Sequence, residues 1–176
     1  AVGFTATCAF TVSVTDAENP IKVCPASIVT VNEPTVAYAH VSYTAPVITD
    51  NVGVVAVTVV EGFASGAAFP IGQTLVRCQA QDAAGNSAEC TFTVTVNDVE
   101  APVIHDCPTD HEFFVGTDAN VNTALVNWDP PTVSDNLAVT LFSASHSPNT
   151  VFSLGSTTVT YTARDAATGV TSGPAT

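Results

Sequence analysis

The feature that most constrains this chain is an internal repeat whose frame is offset from the chain. The run from Asp16-Ala-Glu-Asn-Pro through Cys24-Pro25, Asp50-Asn51, Phe69-Pro70-Ile71-Gly72 and Asp82 returns as Asp98-Val-Glu-Ala-Pro, Cys107-Pro108, Asp135-Asn136, Phe152-Ser153-Leu154-Gly155 and Asp165. The spacing is 83 residues, from Cys24 to Cys107 and again from Asp82 to Asp165. A repeat of that length is one small domain, so the chain reads as a string of modules, and function is to be sought in stringing, surfaces and junctions.

The frame divides the chain further. Residues 8–16, Cys-Ala-Phe-Thr-Val-Ser-Val-Thr-Asp, match residues 90–98, Cys-Thr-Phe-Thr-Val-Thr-Val-Asn-Asp, the last strand of the complete module. The expected organisation is therefore an orphan last strand in 1–16, a complete module in 17–98, and a module in 99–176 that lacks its last strand.

Strand-length runs of Val, Thr, Phe and Tyr punctuated by Pro, Gly, Asn and Asp, with no apolar stripe of helical period, predict an all-β chain. Strands are expected near Ile21–Val31, Val36–Tyr43, Val54–Glu61, Gln73–Gln81 and Ala88–Asn97, with room for a further short edge strand around Phe63–Phe69. Alternation in the last of these puts Phe92, Val94 and Val96 on one face and threonines on the other, the pattern of a strand in a two-sheet sandwich.

Hydrophobic content of 46% with 11% charged residues excludes disorder, while no apolar run is long enough to cross a bilayer. Sixteen acidic against three basic residues give a net charge of −13, which argues against nucleic acid and anionic membrane as partners and favours cations. The five cysteines recur singly, without a paired zinc pattern, and suit an oxidising, extracellular setting. No Asn-x-Ser/Thr sequon occurs.

The Cys-Pro opening, the Pro-x-x-x-Asp-Asn segments ending at Asn51 and Asn136, Phe69-Pro-Ile-Gly72, the Gln81-Asp82-Ala-Ala-Gly-Asn86 loop and the Cys90-Thr-Phe-Thr-Val-Thr-Val-Asn-Asp98 strand together resemble the hyalin repeat, or HYR domain. The resemblance implies tandem immunoglobulin-like β-sandwich modules of extracellular matrix and cell-surface proteins, usually linked to adhesion. The second module departs from it, with Asp165-Ala-Ala-Thr-Gly in place of Asp-Ala-Ala-Gly-Asn.

In a sandwich of this type the first and last strands can run side by side, so a Cys24–Cys90 bond is the expected staple. It closes a 66-residue loop and contributes roughly 3–4 kcal/mol on the chain-entropy estimate. Cys78–Cys90 is the competing pair. By the same rule Cys107 wants the cysteine of a last strand, and Cys8 is that cysteine, so a Cys8–Cys107 bond between units is expected.

The entry to the first strand and two loops lie at one end of such a sandwich. Asp16, Glu18, Asp50, Asn51, Asp82 and Asn86 should converge there, as should Asp98, Glu100, Asp135, Asn136 and Asp165 in the next module. Hard oxygen ligands at a module junction suit calcium. The same residues are also ordinary turn formers whose side chains bond local backbone.

Catalysis finds no support. His40, His105, His111 and His146 lack metalloprotease spacing, and neither a nucleophile elbow nor a phosphate-cradling glycine loop is present. His40 is expected as an ordinary, partly buried strand histidine. Asp106, Cys107, His111 and Glu112 cluster in sequence, but Cys107 is explained as the module-opening cysteine.

Two functions of different class follow. One is a structural unit of an extracellular filament or matrix, assembled head to tail with copies of itself, in which Phe4, Phe10, Val12 and Val14 of the 4–14 strand complete the neighbouring module. The other is an adhesive module recognising a receptor or glycan through its end loops.

Overall fold

The structure, a computed structural model, describes residues 3–107 and 116–166. These residues form fourteen strands, and among them there is no helix. The first module contains β1 (Ile21–Val23), β2 (Ile28–Val31), β3 (Tyr38–His40), β4 (Val47–Thr49), β5 (Val54–Glu61), β6 (Ala68–Pro70), β7 (Gly72–Asp82) and β8 (Ser87–Asn97). The second contains β9 (Val103–His105), β10 (Thr123–Val126), β11 (Thr132–Ser134), β12 (Val139–Ala144), β13 (Thr150–Ser153) and β14 (Tyr161–Asp165).

The repeat in the sequence is a repeat of pairing. Antiparallel β1–β4, β3–β6 and β5–β7 recur as β9–β11, β10–β13 and β12–β14. The counterparts of β2 and β8 are not among the described strands. β2 pairs with β8 in parallel, Ile28 opposite Val94, within a sheet of order β2-β8-β7-β5. The chain is thus an all-β, tandem immunoglobulin-like sandwich protein.

One expected strand is two. Ile21–Val31 breaks at Cys24-Pro25: β1 pairs antiparallel with β4, whereas β2 joins β8. Pro25 has no amide to donate to a ladder, so the chain leaves one sheet there and enters the other. β4 went unpredicted, because three residues between Pro46 and Asp50 are too few to show alternation.

By contacts the chain separates into two compact units, and these cut across the modules. One unit is residues 1–26, 43–65 and 75–93. Its core is Val76, Cys78, Ala80, Cys90 and Phe92, with the Tyr43 ring edge-on to Phe92 at 4.9 Å. The other is residues 27–42, 66–74 and 94–176. Its core holds Ala39, Val41, Phe69, Val94, Val96, Ala124, Tyr161 and Ala163. There the Trp128 indole N–H donates to the Tyr161 hydroxyl at 2.7 Å, and Phe142 stacks on Tyr161. Trp128 itself is only half-buried and follows β10.

His40 departs from expectation. It is exposed, and both its backbone N–H and its Nδ1 lie 2.9 Å from Glu33 Oε1. Alternation explains this, since its neighbours Ala39 and Val41 take the buried positions.

Candidate functional site

The aspartates at equivalent places of the two modules come together in two groups. Asp16, Asp50 and Asp82 each offer a carboxylate oxygen within 4.8 Å of the others, and Asp98, Asp135 and Asp165 do the same. Each group lies within one compact unit. Tight turns at the sandwich end place them. Asp82 closes the β7–β8 hairpin, its Oδ1 accepting the amides of Ala84, Gly85 and Asn86 at 2.7–2.9 Å while Oδ2 accepts Asn86 Nδ2 at 2.8 Å. Gly85 supplies the positive φ of +98° that this turn requires. Asp50 Oδ1 accepts the Val52 amide at 2.9 Å in a smaller turn of the same kind.

The first member of each group is built alike. Asp16 Oδ1 accepts from Glu18 N at 3.1 Å and Asn51 Nδ2 at 3.4 Å. Asp98 Oδ1 accepts from Glu100 N at 3.1 Å and Asn136 Nδ2 at 3.3 Å. Glu18 and Glu100 contribute no carboxylate to either group; that of Glu100 instead receives the Thr35 amide at 2.9 and 3.0 Å. Asn136 Nδ2 also donates to the Val36 carbonyl at 3.3 Å.

The groups differ in how their charge is held. Burial pushes the Asp82 carboxyl up, but the Asn86 side chain and the amides of Asn86, Gly85 and Ala84 outweigh it, so its pKa lies below the ordinary value. Asp135 is raised: burial is the main cause, the Leu137 and Asn136 amides oppose it, and the charges of Asp165 and Asp98 add to it. Two carboxylates at 4.8 Å repel by roughly 3.5 kcal/mol at an effective dielectric constant of about 20, so three ionised together weigh heavily against a fold of ordinary stability.

The cysteines are distributed as follows. Cys24, just past β1, is bonded to Cys90 on β8, with Cα atoms 5.6 Å apart. Cys78 is buried and free, and burial pushes its thiol up, the opposite of an activated nucleophile. Cys8 is exposed and free, and Cys107 is half-buried and free. His111 and Glu112 lie outside the described residues, so the Asp106–Glu112 cluster is not described as a whole.

The 4–14 segment forms no strand with the described residues and is exposed throughout. Phe4 is 98% exposed, Phe10 86%, Val12 73% and Val14 93%. Their equivalents on β8, Phe92, Val94 and Val96, are 4%, 0% and 1% exposed.

A duplicated set of sandwich pairings, each module headed by an Asp-x-Glu turn and the first closed by the Cys90-bearing strand β8, defines a tandem extracellular-type module. The HYR domain model matches residues 15–96 and 97–173, and the chain belongs to that family. Hyalin of Lytechinus variegatus is 35% identical over 167 residues, covering 91% of this chain, and hyalin of Strongylocentrotus purpuratus is 34% identical over 178 residues, covering 96%. A sushi, von Willebrand factor type A, EGF and pentraxin domain-containing protein of Rattus norvegicus is 36% identical over 152 residues, covering 85%. The chain spans 31%, 14% and 4% of the length of these three relatives. No solved structure is significantly similar. The family is one of non-catalytic modules.

Proposed function

We propose that this chain is a structural segment of an extracellular array, in which HYR modules follow one another head to tail and a last strand at 4–14 completes the sandwich of a neighbouring module. The observation that carries the reading is the contrast between two copies of one strand pattern. Cys90, Phe92, Val94 and Val96 are buried on β8, and Cys8, Phe10, Val12 and Val14 present the same face to solvent. Burying a Phe or Val side chain stabilises by roughly 1.5–3 kcal/mol, so a segment with three of them in one row strongly favours a sandwich that will accept it. Strand addition supplies such a site, giving ladder hydrogen bonds to the backbone and a core to alternate side chains.

The 99–176 module is the acceptor in this account, with Cys8 bonding Cys107 and fixing register. The acceptor stands either in a separate copy or in an adjoining stretch of the same polypeptide. A head-to-tail contact propagates into a filament unless its rotation closes a ring. Retention of the Cys24–Cys90 disulfide fits an oxidising, extracellular location.

The test compares the chain with one lacking residues 1–15, by sedimentation velocity under oxidising conditions. The full chain should form larger species, the shortened one should not, and a peptide of residues 1–16 added in trans should bind the shortened chain and cap it. Equal sedimentation of the two chains, with no peptide binding, would overturn the proposal and leave recognition through the end loops as the better reading.

A further inference from the structure

Among the described residues, five side-chain nitrogen or oxygen atoms are shut off from solvent without a hydrogen-bond partner: Asp16 Oδ2, Arg77 Nε, Asp98 Oδ2, Asp135 Oδ2 and Asn136 Oδ1. Arg77 Nε has the Glu61 carboxylate at 3.2 Å, so it is ion-paired. The other four are all acceptors, and all belong to the aspartate groups or to the asparagine beside one of them. Three sit together at Asp98, Asp135 and Asn136, where Asp98 is 2% exposed. Buried acceptors without donors are costly, and native structures rarely leave them so.

Turn formation accounts for Asp82 and leaves these atoms unexplained. Asp98 Oδ1 already serves the turn, through Glu100 N and Asn136 Nδ2, and Oδ2 does not. Asn136 Nδ2 faces two acceptors, the Val36 carbonyl and Asp98 Oδ1, which fixes the amide so that Oδ1 points away from both. Among the described residues, no salt bridge from a lysine or arginine reaches Asp98 or Asp135. Lys22 donates to the Glu89 carbonyl, Arg77 lies beside Glu61 and Glu89, and Arg164 is exposed where its neighbour Asp165 is buried. A water molecule can donate hydrogen bonds but brings no positive charge.

We propose that Asp98, Asp135 and Asp165, with the Asn136 amide oxygen, hold a calcium ion. The carboxylate oxygens lie within 4.8 Å of one another, the span of a shell of oxygens about 2.4 Å from a shared centre, as calcium takes. Magnesium demands a tighter octahedron at about 2.0–2.1 Å and holds its waters more strongly. The site also has a mechanical consequence. Asn136 and Glu100 grip the 33–36 turn of the preceding module, through the Val36 carbonyl and the Thr35 amide. An ion that fixes Asp98 and Asn136 therefore fixes the joint.

The test is calcium titration by calorimetry on the whole, chelator-stripped chain, alongside Asp135→Asn and Asn136→Ala. Asp135→Asn should lower the number of ions bound by one. Asn136→Ala, which changes no charge, should weaken that same site about tenfold. In chelator Asp135→Asn should melt no lower than the unaltered chain, because it relieves repulsion, and in calcium the unaltered chain should melt higher. Amide exchange at Thr35 and Val36 should slow with calcium in the unaltered chain alone. Identical stoichiometry in the unaltered chain and Asp135→Asn, or no binding heat in either, overturns the site. Magnesium binding as tightly as calcium overturns the choice of ion.

Discussion

Phe92 and Phe10 occupy the same place in two copies of one sequence pattern, and truncating each should have opposite effects. Phe92 is 4% exposed and packs edge-on against Tyr43 in the core of its unit. Phe92→Ala should cost about 3–5 kcal/mol, the usual range for a buried phenylalanine, and a domain of this size loses roughly 4–8 °C in Tm per kcal/mol. The first module should therefore melt roughly 12–40 °C lower. Phe10 is 86% exposed, so Phe10→Ala should change the stability of the isolated chain by no more than about 0.5 kcal/mol. In the proposed assembly it should remove the burial of one aromatic side chain, about 1.5–3 kcal/mol, or roughly 10–150-fold in association. Differential scanning calorimetry on dilute protein reads the first quantity, and sedimentation equilibrium across a concentration series reads the second. A Phe10→Ala chain that melts as early as Phe92→Ala would place residues 4–14 in the core of their own chain and refute the reasoning.

Other outcomes follow from single contacts. Replacing Cys24 and Cys90 by Ser opens a 66-residue loop and should cost about 4 kcal/mol, seen as a lower urea midpoint under oxidising conditions and as no difference under reduction. Gly62 has φ +81°, and a Cβ there would meet the Leu75 carbonyl, so Gly62→Ala should destabilise by roughly 1–3 kcal/mol in a thermal melt. Glu33 is held below the ordinary carboxylate range, first by the His40 backbone N–H and then by its side chain. Its contribution is present above the unfolded carboxylate pKa and is lost as pH falls through the folded one. Glu33→Gln should therefore flatten the acid side of the stability profile, and an unchanged profile would show that the pair does no such work.

Much of the fold was legible because strand periodicity is local. β5 runs over Val54–Glu61 as its Val-rich run predicts, and the Phe92, Val94, Val96 face packs as alternation requires. The division of the first strand at Cys24-Pro25 was harder to read, since the apolar pattern continues across it and only the missing amide of Pro25 marks the change of sheet. The acidic positions could be listed from sequence, but their roles are decided by tertiary neighbours. Glu100 looks as ready a ligand as Asp98, yet Glu100 receives the Thr35 amide while Asp98 keeps a buried oxygen without a partner. Asn136 shows the same limit, because the Val36 carbonyl that orients its amide lies 100 residues earlier.

The strand-completion account is tested most directly by disulfide mapping of assembled protein, using proteolysis and mass measurement before and after reduction. It predicts two linked peptide pairs, Cys24 with Cys90 and Cys8 with Cys107, with Cys78 as a free thiol. Assembled protein in which Cys8 and Cys107 are both free, or in which Cys8 is bonded to another cysteine, would contradict it.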